Sequence, residues 1–243
     1  MEKFIIMINL IKNEFFFERK SSNNLFYMTF FSFSCLAIMF FALPPSKLYD
    51  ITILSAFFWI IVSLVSIKLI ENSFVREKEY GIYDLIYSSP VEKFMIFIAK
   101  VIAFSLILLG IETFLLLGYI LISETITIVL AFKVLALCLL SNVGLLSLGI
   151  LVYLVTSLSN IRSFLFPLIL FPLIVPILIH SSNLFILTIL DEKISLYNES
   201  GFLLLTFALV SIIFGINFFD KLVKSKINFY RYLQVFSYQS MAS

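Results

Sequence analysis

Long apolar stretches separated by short polar breaks dominate the chain. Runs at about 24–43, 51–70, 96–122, 134–156, 163–185 and 201–219 carry little charge. Each is close to the roughly 20 residues that a helix rising 1.5 Å per residue needs to cross a hydrocarbon core about 30 Å thick. In lipid only helices and closed barrels satisfy their own backbones, and these runs are too long and continuous for barrel strands. The pattern predicts an all-α polytopic membrane protein: six transmembrane helices in a single permease-like domain over residues 1–243.

Ahead of the first run, Phe4, Ile8, Ile11 and Phe15 recur at helical spacing opposite Lys12, Asn13 and Glu14. That periodicity predicts an amphipathic helix over residues 1–20 lying along the membrane interface. The opening apolar run is too short for a cleavable leader and has no small-residue cleavage site. The polar stretch at 220–243 reads as a cytoplasmic tail.

Composition agrees with the pattern. The chain is 61% hydrophobic and 13% charged, with 29 phenylalanines, and its mean hydropathy is +1.09; soluble domains carry about 25% charged residues. Basic residues favour the cytoplasmic side of a membrane. An even number of spans puts both ends together, and only Lys47, Lys133 and Lys193 of the 17 basic residues fall on the opposite side. Both termini are therefore expected in the cytoplasm, in the plasma (inner) membrane of a prokaryote. The net charge of +2 is an asymmetry across a bilayer, not a basic groove, which excludes nucleic acid as a partner.

Little catalytic chemistry is visible. Cys35 and Cys138 sit inside apolar runs and read as small packed hydrophobes. No glycine stands before a lysine in the P-loop pattern, so ATP is expected only through a partner. With one histidine, no carboxylate cluster and no nucleophile beside a base, no catalytic or metal site is expected, and no covalently bound cofactor.

The polar island between the second and third runs, residues 71–93, has detailed local chemistry. Tyr80, Ile82, Tyr83, Ile86 and Tyr87 fall at spacings of three and four among Glu77, Lys78 and Asp84, which predicts a short amphipathic helix from Glu77 to Tyr87 with Gly81 allowing a bend. Ser89 stands three residues before Glu92 with Pro90 between them, a capping box that predicts a second helix from Pro90 into the third span. Two readings stay open on the residues alone: a solvated connection resting on headgroups, and a docking helix for a cytoplasmic partner.

Inside the membrane, Glu112 lies about ten residues, roughly 15 Å, from the outer end of its span, where an ionisable side chain is costly. Asn142 in the fourth span is its expected partner and lies seven positions from Gly149, a small residue suited to a close helix interface. Both carry either a role in a transport path or a packing role. His180 near the outer end of the fifth span is a haem-iron ligand candidate by its chemistry, against a plain interfacial reading. Pro167, Pro172 and Pro176 are expected to kink that span, as a static feature or a hinge.

Phe74, Glu77, Gly81 and Asp84, then Ser89-Pro90 and Ala99-Lys100-Val101, together resemble the signature of the haem exporter B family, CcmB. Trp59 twelve residues before Glu71, Asn24-Leu25-Phe26 at the first span, and Leu170 to Pro176 in the fifth extend the similarity over about residues 5–222. The chain departs from the family pattern at Phe104-Ser105, where a His-Trp pair is common, and at Ser141-Asn142-Val143, where Gly-Thr-Pro is usual.

The resemblance implies the permease subunit of an ABC transporter complex in c-type cytochrome biogenesis, itself without enzymatic activity. It implies a separate CcmA-like P-loop ATPase, CcmC- and CcmD-like membrane proteins, a CcmE-like haem chaperone, and a homodimer within the complex. Haem is then the species transported or transiently contacted, and ATP hydrolysis drives its transfer or the release of the loaded chaperone. Phe74, Glu77, Gly81, Tyr83, Asp84, Ser89 and Pro90 become the expected ATPase-coupling residues, and Glu112, Asn142, Pro172 and Pro176 the intramembrane ones. Alternatives are an ABC-2-type exporter permease for lipid-linked or amphipathic cargo, a non-transporting assembly scaffold, and a secondary transporter, which would place ionisable residues in several spans.

Overall fold

The computed structural model describes residues 2–20, 22–44, 47, 50–81, 91–122, 126–157, 159, 161–190 and 199–241, the side chains of Glu2, Ser22, Asn23, Ile122, Arg162 and those beyond Leu222 excepted. Seven helices and no strands occur among them: α1 (Glu2–Lys20), α2 (Ser22–Ala42), α3 (Ile51–Glu79), α4 (Lys93–Ile122), α5 (Ile128–Thr156), α6 (Arg162–Ile189) and α7 (Glu199–Met241). Six, α2 to α7, contain stretches long and apolar enough to cross a membrane. The predicted spans and the amino-terminal helix are thus all present.

Local chemistry starts two of the long helices. Asp50 caps α3 by accepting from the Thr52 N–H at 3.0 Å, and Thr127 caps α5 through Leu130 N–H at 3.4 Å. α6 runs without interruption through Pro167, Pro172 and Pro176. The stretch expected as a separate tail continues α7 as helix to Met241.

Burial sorts the spans into two classes. α3, α4 and α5 hide more than half of their apolar windows inside the protein, whereas α2, α6 and α7 hide less than a third and turn the rest outward. α5 packs against α3, α4, α6 and α7, and α4 against α1, α2, α3, α5 and α7. Apolar surface facing lipid gains nothing from helix contact, so close packing and polar stitches must hold such a bundle together. Both are present. A Cβ at Gly149 would run into the Ile70 side chain, and one at Gly215 into the Phe97 ring, so glycine lets α5 meet α3 and α7 meet α4. Hydroxyl pairs join Ser55 to Ser182 at 2.7 Å, Ser141 to Ser181 at 2.8 Å and Ser147 to Ser211 at 2.6 Å, across α3–α6, α5–α6 and α5–α7.

Aromatic residues fill the interior. Phe58 packs against Trp59, Tyr119 and Phe185, and the Tyr119 hydroxyl donates to the Leu54 carbonyl at 3.2 Å. Nearer the end of the bundle that carries α1, Phe74 stacks on Tyr153, with ring centroids 4.6 Å apart, and Tyr153 meets Phe166 edge-on.

Candidate functional site

The polar island is arranged differently from the sequence expectation. Residues 71–79 prolong α3 beyond its apolar stretch as continuous helix, and the chain then turns at Tyr80 and Gly81. Gly81 adopts φ 63°, a left-handed conformation that glycine takes without strain and that ends α3. The expected amphipathic helix from Glu77 to Tyr87 is therefore corrected at its start: Glu77, Lys78 and Glu79 are the last turn of α3. Tyr83, Asp84, Ser89 and Pro90 lie outside the described residues. Helix α4 begins at Lys93 and not at Pro90; Val91 and Glu92 precede it as non-helical backbone, and Glu92 pairs with Lys3 at 2.9 Å.

The turn sits above a junction of buried charges. Lys100, one turn into the apolar part of α4, is 2% exposed and is held between two carboxylates: Glu77 of α3, in direct contact, and Glu14 of α1 at 2.9 Å. Its ammonium also lies 5.3 Å from the centre of the Phe74 ring and 5.8 Å from that of Phe104, within range of cation–π attraction. Beside it, Arg76 pairs directly with Glu18 of α1, donates through Nε to the Asn72 carbonyl at 3.2 Å, and stands 5.3 Å over the Phe17 ring.

A buried charge is tolerable only when paired and hydrogen-bonded, and removing one partner leaves the other stranded. The junction meets that condition through α1. Its Glu14 and Glu18, one helical turn apart, face the bundle, so the side expected to be polar and solvated is in part a protein contact. Phe4, Ile5 and Phe16 of the same helix remain exposed, an apolar surface suited to the membrane interface.

Glu77 and Phe74, expected as docking residues, are thereby placed inside the protein. What faces outward is the turn itself: Lys78, Glu79, Tyr80 and Gly81 are exposed, and Tyr80 meets the Phe17 ring edge-on at 5.9 Å. Sequence reasoning overlooked Glu14, Glu18, Arg76 and Lys100 as a unit. Two signals pointed to it: carboxylates spaced four apart on an amphipathic helix, and a lysine embedded in a run as hydrophobic as Ile96 to Phe104.

Within the membrane, Glu112 and Asn142 meet as expected. The Asn142 Nδ2 donates to Glu112 Oε2 at 2.9 Å, both residues are 0% exposed, and the Cys138 thiol is hydrogen-bonded to the same carboxyl. Gly149, expected on the same interface, instead faces Ile70 and Leu170. His180 is half-buried, its ring stacked over Phe207 at 6.4 Å with Nδ1 unpartnered. Pro172 is exposed on the outer side of α6 and Pro176 half-buried. None of these three adjoins the charged junction. No group of three or more His, Cys, Asp or Glu suited to hold a metal occurs among the described residues.

Comparison with curated proteins finds no match. The CcmB protein family matches residues 5–219, from α1 through the junction and nearly all of the sixth span. With a match of that extent laid over six membrane-spanning helices, the chain belongs to the CcmB family: it is a multi-pass inner-membrane permease subunit of the ABC transporter system of cytochrome c maturation, and not itself an enzyme.

Proposed function

We propose that this permease receives the stroke of a separate, CcmA-like P-loop ATPase at the turn that ends α3, and passes it to α1 and α4 through the buried charge junction. The observation that carries this reading is the position of Glu77. It lies one turn before the exposed Tyr80–Gly81 corner and is bound to Lys100, which in turn holds Glu14. A push on the corner cannot move α3 alone without separating charges buried away from water, which costs several kcal/mol. The three helices therefore respond together, as a coupling element biased by a partner must.

In this reading both termini and the corner are cytoplasmic, and Tyr83, Asp84, Ser89 and Pro90 belong to the same partner-facing segment as Glu79 and Tyr80. Two copies of the chain work with CcmC- and CcmD-like membrane proteins. The motion serves transfer of haem, or release of a haem-loaded CcmE-like chaperone, on the outer face. Glu112 and Asn142 act as a polar pin between α4 and α5; their complete enclosure supports packing over a place in an open path.

The test leaves the junction intact and changes the corner. Glu79→Lys with Tyr80→Ala, in the full complex, is expected to reduce co-purification of the ATPase and permease-dependent ATP turnover at least fivefold, while the permease still accumulates in the membrane. Unchanged association and turnover would overturn the coupling role.

A further inference from the structure

A groove of about 540 Å³ runs between α2 and α3, lined by Asn24, Tyr27, Met28, Phe31, Leu64, Val65, Lys68 and Asn72. The two helices are antiparallel, so the lining is graded along the groove. Asn24 near the start of α2 lies level with Lys68 and Asn72 of α3, and this polar end is on the side that carries α1. Phe31 and Leu64 lie about 10 Å deeper, by the helical rise. The groove thus has a cationic and amide mouth at headgroup depth and an aromatic and aliphatic floor at acyl-chain depth.

We propose that this groove is a binding site for one anionic phospholipid of the leaflet in which α1 lies, the cytoplasmic leaflet in the orientation proposed above. Charge complementarity selects the occupant. The Lys68 side chain is 59% exposed and shares Glu71 at 3.1 Å, which leaves its ammonium donors to spare for a phosphate. The Asn24 and Asn72 amides stand beside it. Arg19 and Lys20, exposed in the last turn of α1, precede Asn24 by five and four positions and add positive charge near the start of α2. Basic residues at a membrane surface attract anionic lipid, and one acyl chain would lie against Met28, Phe31, Leu64 and Val65. The occupant would join α2, among the least buried of the spans, to α3, whose same end carries the charge junction about one turn beyond Asn72.

The full-length chain, purified in mild detergent, should be examined by native mass spectrometry after equilibration with palmitoyl-oleoyl phosphatidylglycerol or palmitoyl-oleoyl phosphatidylcholine. The expected result is one retained phosphatidylglycerol per chain, and at least fivefold less phosphatidylcholine. That factor corresponds to about 1 kcal/mol for one basic residue at the surface. Lys68→Glu should lose the phosphatidylglycerol at least fivefold, and Lys68→Arg should keep it. Equal retention of the two lipids, retention unchanged in Lys68→Glu, displacement of the lipid by stoichiometric haem, or a second copy of the chain occupying the groove in cross-links from a cysteine at Phe31 would each overturn the proposal. ATP turnover does not enter this readout, so its outcome is separate from that of the coupling test.

Discussion

Glu77 and Glu112 are carboxyl groups on neighbouring helices of one bundle, both enclosed, yet they keep different company. Glu77 faces a lysine that also holds a second carboxylate from a third helix. Glu112 instead meets neutral groups, an asparagine amide and a thiol, and its Oε1 has no partner among the described residues. One site is made of opposed charges near the end of the bundle, where α1 completes it. The other is a polar contact near mid-membrane between two helices. The difference teaches where this fold uses ionic attraction: to attach the amino-terminal helix to the exposed corner that ends α3, and not to hold the deep core, which relies among the described residues on close packing, hydroxyl pairs and an amide–carboxyl contact.

That contrast breaks first at Lys100. Lys100→Met should destabilise the purified chain by about 3–5 kcal/mol, because Glu14 and Glu77 are left together without a cation. The half-life of the detergent-solubilised fold against heat reads this loss. Adding Glu14→Gln and Glu77→Met should restore most of it, since an apolar replacement of a buried ionic group is often neutral. A Lys100→Met chain as durable as the parent would show that the junction does not hold α1.

The midplane pin should give smaller effects, and its two members should differ. Asn142→Leu strands the Glu112 carboxyl and should cost about 1–3 kcal/mol. Glu112→Gln preserves the acceptor for Asn142 and adds a donor, so about 1 kcal/mol or less is expected. If the Gln variant loses as much as Lys100→Met in the same assay, a carboxylate is required at mid-membrane and the contrast fails. Smallest of all should be Lys3→Ala, which removes an exposed pair with Glu92. Its cost of about 0–1 kcal/mol should vanish in molar salt, while the Lys100→Met loss persists.

Much of this architecture was legible in the order of residues. Six apolar runs gave six spans because length and hydropathy alone decide what crosses a bilayer. Glu112 and Asn142 found each other because a deep polar group has few available partners. The island was misread at its beginning because helical periodicity continues through Glu77 to Glu79 without marking which helix owns those residues; the pairs of Arg76 with Glu18 and of Glu77 with Lys100 tie this last part of α3 to α1 and α4. The start of α4 lies at Lys93 although Ser89, Pro90 and Glu92 spell a good cap; the Glu92 carboxylate there pairs with Lys3. Pairings such as Glu14 with Lys100, 86 positions apart, leave no local trace. The cost of a lysine in an apolar run, with the two carboxylates four apart on α1, gave the hint that something had to come and meet it.

The geometry of Lys100 also bears on how the chain is made. Glu77 lies 23 positions before it, on the preceding helix of the same hairpin, so the two enter the membrane almost together and partly neutralise one another on arrival. Glu14 and Glu18 were synthesised long before either cation. The first helix must therefore wait at the bilayer surface, its carboxylates in water, until α3 and α4 deliver Arg76 and Lys100 beneath it. Closing that contact must follow the synthesis of α4, and a chain truncated before α4 would leave its amino-terminal helix without its buried cation Lys100.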